Sequence, residues 1–330
     1  MAPRTSARKF ELLLSHASQG KNETQVLRLR CASLRMTDFI LRFAQDDSGE
    51  GWGTRYFRKT EKTMLLAIDV GNTNTVLGLY KLEGAKPELA AHWRVTTHRS
   101  QTADEYGVLF VNLFEMNGMK PSQVAHIIIS SVVPPVEGTL REVCRNYFHT
   151  EPLFVEPGIK TGMPVLVDNP TELGADRLVN AIAAFERYGG PCVIVDFGTA
   201  TTFDVVSAKG EYLGGAISPG LGISADALFS RAARLGRVEI KRPAKVIGTN
   251  TVTHIQSGLY YGYIGLVDGI LERIMTELGA PARVIATGGL ARLISEDSRF
   301  ITEIDDMLTL DGLLILFERN RAAKPRGKAH

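Results

Sequence analysis

An α/β fold assembled from two copies of one βββαβα unit is what this sequence predicts, and three observations carry that expectation. The first is a repeated motif: DVGNTNTV at 69–76 returns in altered form as DFGTATTF at 196–203. The second is what precedes each copy, an apolar run of strand character, Met64-Leu65-Leu66-Ala67-Ile68 and Cys192-Val193-Ile194-Val195. The third is a Gly-bearing turn inside each copy that leads straight into another strand.

The repeat also suggests a chemistry. A Gly turn brings backbone N–H groups close to a ligand, and Thr and Asn side chains add donors. The Asp at the mouth of each turn, Asp69 or Asp196, can hold a cation directly or through water. Two such turns face to face would grip a metal-bound polyphosphate from both sides, so ATP is expected between the halves. No GxxxxGK[ST] occurs, and neither copy opens a helix as a dinucleotide fingerprint does.

At 330 residues and 36.1 kDa the chain can build two cores, and 44% apolar with 22% charged residues is ordinary globular composition. A formal net charge of +2 without a long basic block gives no case for nucleic acid. Cys31, Cys144 and Cys192 lie far apart without zinc or redox spacing, which suits a reducing cytoplasm. No apolar run reaches the length of a membrane span.

Residues 1–63 differ from the rest. They carry 12 Lys/Arg against 7 Asp/Glu, scattered apolar residues, and the loop-like Ser48-Gly49-Glu50-Gly51-Trp52-Gly53. The stretch is expected to be a non-native or disordered extension, with translation starting at Met64. The remaining boundaries are expected at 64–186 for the first domain and 187–318 for the second, with a disordered tail at 319–330.

Taken in order, Val76–Tyr80 and His92–Val95 continue the meander begun at Met64. Thr102-Ala103-Asp104-Glu105 is a capping box opening a helix through Tyr106, Leu109, Phe110, Leu113 and Phe114. His126–Val133 is a buried strand stopped by Pro134-Pro135. In Asn169–Arg177 a Pro-Thr entry and Leu178, Ile182 and Phe185 at helical spacing put Asp176 and Arg177 early in a helix, beside Gly174. Asp176 is then a candidate proton acceptor and Arg177 a candidate anion binder, or Asp176 merely complements the helix dipole. The helix terminus and Arg177 both lower the carboxyl pKa, whereas excluded water and phosphate charge raise it.

Downstream, Tyr212–Gly220 is a strand ending in a Pro-Gly turn, followed by a helix from Ile223 to Leu235. Gly248-Thr249-Asn250-Thr251 introduces a further helix whose Ser257, Gly258, Tyr261 and Gly262 face predicts close packing. Arg283–Ala291 is strand, glycine pair, helix, and Gly288-Gly289 would let an adenosine lie against the backbone. A last helix spans Leu308–Phe317.

With DVGNTNTV, GADR, DFGTATT, GTNT and ATGG in this order, residues 64–318 resemble type III pantothenate kinase, of the acetate and sugar kinase/Hsp70/actin superfamily. The resemblance implies two ribonuclease H-like (actin-like ATPase) domains around a nucleotide cleft. It implies phosphorylation of pantothenate by ATP, Mg²⁺, an activating K⁺ or NH₄⁺, and a homodimer with pantothenate at the interface.

Carried over by position, Asp69, Val70, Gly71, Asn72, Thr73, Asn74, Thr75 and Val76 would surround the ATP phosphates, with Mg²⁺ at Asp69 and a nucleotide contact from Thr199. Gly174, Ala175, Asp176, Arg177 and Thr251 would bind pantothenate, Asp176 being the proton acceptor, and Asp196 would hold the monovalent cation. Val167 stands where the family often has an aromatic against pantothenate. Competing readings are a kinase of the same superfamily acting on another small alcohol or carboxylate, or a non-catalytic ATP-binding regulator, since relatives were once described as transcription accessory factors. Neither a helix-turn-helix nor a peptide-binding domain is evident.

Overall fold

In the computed structural model the described residues are 63–84, 86–232 and 234–321, together with the backbone of three earlier strands. Those are β1 (Val26–Arg28), β2 (Ile40–Gln45) and β3 (Trp52–Phe57), paired antiparallel in that order. They belong to one unit, 1–61, and residues 62–330 form another. The rest of the leader, with Cys31, lies outside the described residues, whereas Met64, the expected start, is the first residue of the next strand.

The larger unit repeats one sheet twice. β4 (Met64–Val70), β5 (Asn74–Lys81) and β6 (Glu88–Thr96) form an antiparallel meander, and β7 (Val124–Ser131) and β8 (Pro152–Phe154) add in parallel on the other side of β4. The order is β6-β5-β4-β7-β8. β9 (Cys192–Phe197), β10 (Ala200–Val206), β11 (Tyr212–Pro219), β12 (Arg283–Gly288) and β13 (Glu303–Ile304) repeat it as β11-β10-β9-β12-β13. The two halves share one topology, as the repeated motif predicts, and it agrees with the ribonuclease H-like (actin-like ATPase) halves that the resemblance implies.

Period-two alternation builds the layers. Leu66 and Ile68 of β4 face outward onto α1 (Ala103–Met116) and α2 (Pro134–Tyr147), packing with Phe110, Phe114, Leu140 and Val143. Leu65 and Ala67 face inward, onto α3 (Ala175–Tyr188) and the last helix, where they share a core with Ile194 of β9. Beyond the second sheet, Val193, Val195 and Phe203 pack on Tyr260, Ile264 and Val267 of a 28-residue helix, Thr251–Leu278. A central helix pair thus lies between the two sheets, and its buried Ile, Leu and Phe side chains contribute about 1.5–3 kcal/mol each.

Local signals explain most boundaries. The capping box forms: Glu105 N–H donates to Thr102 Oγ1 at 3.3 Å, and Thr102 N–H to Glu105 Oε2 at 2.7 Å. Pro134 and Pro135 do more than end a strand. They open α2, because a proline at the first helical positions loses no intrahelical bond. Strand β7 accordingly covers Val124–Ser131.

The helix expected at Ile223–Leu235 is α4, Leu221–Arg231, ended by extended backbone at Ala232. Thr251–Leu278 is α5, and a short α6 (Ala291–Ser295) follows the glycine pair. The last helix, α7 (Leu308–Arg321), runs past Phe317 into the expected tail because Asn320 and Arg319 bond the loop at 160–161. Residues 322–330 lie outside the described residues.

Candidate active site

Each motif loop is a tight turn held by its own backbone. Gly71 N–H donates to Asn74 O at 3.0 Å, and Gly198 N–H to Ala200 O at 3.1 Å. The first loop is braced from behind: Thr97 Oγ1 donates to Gly71 O at 2.8 Å and bonds Thr75 Oγ1 at 2.8 Å. Arg99 Nη2 donates to Asn72 Oδ1 at 2.8 Å. The second loop is tied to α4 through Gly220 N–H on Thr199 O, 3.1 Å, and to α5 through Thr201 and Tyr263. Across the gap, the hydroxyls of Thr73 and Thr199 meet at 2.8 Å.

Between the loops lies a cleft of about 480 Å³. It brings together Asp69, Gly71, Asn72, Thr73, Asn74 and Val76 of the first motif, Asp196 and Thr199 of the second, and Asp176 from the start of α3. Gly288 and Gly289 line it as well, beside Gly222 and Ile223 of α4. Gly288 is at φ +91°, and a Cβ there would sit 2.6 Å from Asp196 Oδ1, so only glycine leaves that carboxylate its place.

Three carboxylates set the electrostatics. Asp69 is pushed up to about 8, first by removal from water and then by the charges of Asp176 and Asp196. Asp196 rises to about 7, again chiefly by burial, then by Asp176 and Asp204, although Asn180 Nδ2 donates to its Oδ2 at 3.2 Å. Asp176 also lies above the usual carboxylate range. Burial outweighs the Arg177 N–H on its Oδ1 at 2.8 Å and the Arg177 charge. The sequence left that contest open; in the folded chain desolvation wins. A raised carboxyl is a better proton acceptor near neutral pH than an ordinary aspartate.

Several expected residues stand behind the cleft. Val70 is fully buried in the outer core, and Thr75 is the buried brace of the first loop. Gly174 caps α3, and a Cβ on it would meet Asp176 Oδ1 at 2.6 Å. Ala175 packs against the central core, as does Val167, which lies against Gly214 of β11.

Arg177 is held away from the loops by Asp204. Its Nε donates to the fully buried Asp204 Oδ1 at 2.7 Å, and the same carboxylate accepts Tyr212 OH at 2.6 Å and Thr202 Oγ1 at 3.0 Å. Thr251 is exposed in the first turn of α5, whose N-cap is Asn250, with Oδ1 accepting Thr253 N–H at 3.0 Å. The predicted close packing of that helix holds for Ser257, bonded to Val246 O, and Tyr261. It fails at Gly258 and Gly262, where a Cβ would meet nothing within 4 Å.

The sequence reading passed over Arg94, Thr202, Asp226, Thr287, Asp306 and Thr309, all of which line the cleft. Only the positions of Thr202, in the second motif's outgoing strand, and Thr287, in the ATGG motif, marked any of them in advance. A Mg²⁺ ion fits the donor set: Asp69 and Asp196 offer hard oxygens to the cleft, and the buried Ser130 hydroxyl stands in register with Asp69. Among the described residues no group of three or more His, Cys, Asp or Glu is gathered to hold an ion. Phosphate oxygens and water would therefore complete the shell.

The profile of the family described as type III pantothenate kinase matches residues 65–273. A type III pantothenate kinase of Koribacter versatilis is 64% identical over 265 residues, 78% of this chain and 97% of that protein. One from Acidobacterium capsulatum is 56% identical, covering 80% and 97%. A solved Campylobacter jejuni structure, described as a putative Baf family transcriptional activator, is similar at 18% identity and a TM-score of 0.48, covering 78% of this chain and 99% of that one. With a repeated five-stranded half, a cleft lined by aspartates of both motifs and of α3, and relatives matched over almost their whole length, this chain belongs to the type III pantothenate kinase family.

Proposed function

We propose that this chain transfers the γ-phosphoryl group of ATP to the primary hydroxyl of pantothenate, the entry step of coenzyme A synthesis. The observation that carries the reading is Asp176, a raised carboxyl at a helix start, sharing one cleft with both phosphate loops. Phosphoryl transfer asks for positioning and charge neutralisation more than covalent chemistry. The N–H groups and hydroxyls of the two turns would hold the polyphosphate, Gly288-Gly289 would take the adenosine, and Asp176 would accept the alcohol proton. Mg²⁺, on Asp69, would neutralise phosphate charge when bound, and Asp196 would hold a monovalent cation, K⁺ or NH₄⁺.

A homodimer fits the open face of α5. Thr251, Gly258, Gly262 and Gly265 are exposed at helical spacing, beside exposed Val246, Ile247 and Val252. A second copy on that face would bring Thr251 towards a shared substrate site. Buried free thiols at Cys144 and Cys192 suit a cytoplasmic setting, and among the described residues no helix is long and apolar enough to cross a membrane.

An ATP-consumption assay of the purified protein tests the reading, run with and without pantothenate and K⁺. Nucleotide consumption that ignores pantothenate would sink it.

A further inference from the structure

We infer that Arg94 is a further catalytic residue of this cleft, its guanidinium clamping the phosphoryl group in transit; the inference rests on the kinase reading above. The geometry begins with strand register. Arg94 of β6 pairs with Val76 of β5, Val76 with Asp69 of β4, and Asp69 with Ser130 of β7. Residues in one such row project from the same face of a sheet, with strands about 4.8 Å apart. Arg94, Val76 and Asp69 all line the cleft, so that face is the cleft face. One strand, β5, lies between Arg94 and Asp69, which puts the long arginine side chain two strand spacings from that carboxylate. Its charge is felt there, lowering both Asp69 and Asp196 against the larger effect of burial.

Charge and asymmetry argue that this residue serves the reaction rather than the scaffold. The lining of the cleft contains Asp69, Asp176, Asp196, Asp226 and Asp306, and among the described residues Arg94 is its one basic side chain. Other basic groups in the neighbourhood are committed: Arg177 to Asp204, Arg99 to Asn72, and Arg292 to Asp306. Arg94 makes no hydrogen bond or ion pair among the described residues. At the equivalent place the second half of the fold carries no charge. There the matching row runs Ile217, Thr202, Asp196, Thr287, so Ile217 occupies the position equivalent to Arg94. Duplication preserved the aspartate of the row and placed a cation in one half alone.

In the step itself the alcohol oxygen forms a bond to the γ-phosphorus while the bond from phosphorus to the β,γ-bridging oxygen breaks. The alcohol proton passes to Asp176, and the electron pair of the broken bond leaves on ADP. Negative charge on the three peripheral oxygens of the moving group is what a forked guanidinium meets with paired N–H donors. Lysine, a point charge, would meet it less well.

The test compares wild type with Arg94→Gln, Arg94→Lys and Arg94→Gly in steady-state assays with MgATP and pantothenate. Arg94→Gln is expected to lose about 10²–10³-fold in kcat, with the KM of ATP held within about threefold. Arg94→Lys should fall between it and wild type. Added guanidinium ion should restore part of kcat to Arg94→Gly and none to Asp176→Asn. A kcat within about threefold of wild type, a loss carried by the KM of ATP alone, or no rescue by guanidinium overturns the inference. If wild type itself ignores pantothenate, the kinase reading fails instead.

Discussion

Thr73 and Thr199, 126 positions apart in the chain, bond each other hydroxyl to hydroxyl at 2.8 Å across the mouth of the cleft. Each comes from one copy of the repeated turn, so this bond ties the two loops to one another. On the kinase reading, a polyphosphate bound there would take over both hydroxyls. Thr199→Val keeps the shape and removes the donor. A hydrogen bond to a charged group is worth about 1.5–3 kcal/mol, so kcat/KM for ATP should fall about 10–100-fold. Unchanged ATP kinetics would show that the pair serves only to hold the loops together.

Asp176→Asn keeps the side-chain volume and removes the proton acceptor. General-base catalysis contributes about 10²–10⁴-fold, and kcat should drop by that order while ADP binding, measured calorimetrically, stays close to wild type. Near wild-type turnover would take Asp176 out of the base role.

How much of this was legible beforehand follows from how local each signal is. The two loops could be read because an Asp-Gly-Thr turn after an apolar strand announces itself within eight residues, and reading it twice gave the halves. The helix at Pro134–Tyr147 was missed although Val136, Leu140, Val143 and Cys144 have helical spacing. Its opening proline pair was taken only as a strand stop. β8 and β13, three and two residues long, are too short to show a period. Arg94 and Asp204 could not be found at all from local pattern: one matters through register across three strands, the other through a partner 27 residues away.

The raised carboxyls tie stability to pH. Asp69 and Asp196 sit near 8 and 7 in the folded chain against 3.8 for an ordinary aspartate. The folded state therefore keeps protons that the unfolded chain has released. Their contribution to stability is full below the unfolded value and is lost as pH rises through about 7 and then 8. Ligand-free protein should melt at a lower temperature at pH 8.5 than at pH 6, and Asp69→Asn should flatten that slope. On the kinase reading a cation held at Asp69 would replace its proton, so stabilisation by MgADP should grow over the same interval. Scanning calorimetry at both pH values decides; a slope unchanged in Asp69→Asn would remove Asp69 as its source.

Asp204 is fully buried and accepts from Arg177, Tyr212 and Thr202. Asp204→Asn leaves the Arg177 charge without its partner, and breaking a buried pair costs about 3–5 kcal/mol. Tyr212→Phe removes one neutral donor and should cost about 1 kcal/mol. If Arg177 binds the substrate's anionic end, Tyr212→Phe should also raise the KM of pantothenate while leaving that of ATP alone. Equal effects on both substrates would mean the network is a structural brace.

The exposed glycines of α5 separate tolerance within one chain from contact between chains. Nothing in the described chain comes within 4 Å of a Cβ at Gly262, so Gly262→Arg creates no clash inside the protomer. Replacing a mid-helix glycine should even favour the helix by up to about 1 kcal/mol. If a second copy packs against this face, a long charged side chain there must be buried unpaired at the interface or force the copies apart. Gly262→Arg should then run as a monomer in light scattering with its melting temperature intact. It should also lose pantothenate turnover, because Thr251 lies on the same helix face. A variant that stays dimeric and fully active would place the interface elsewhere.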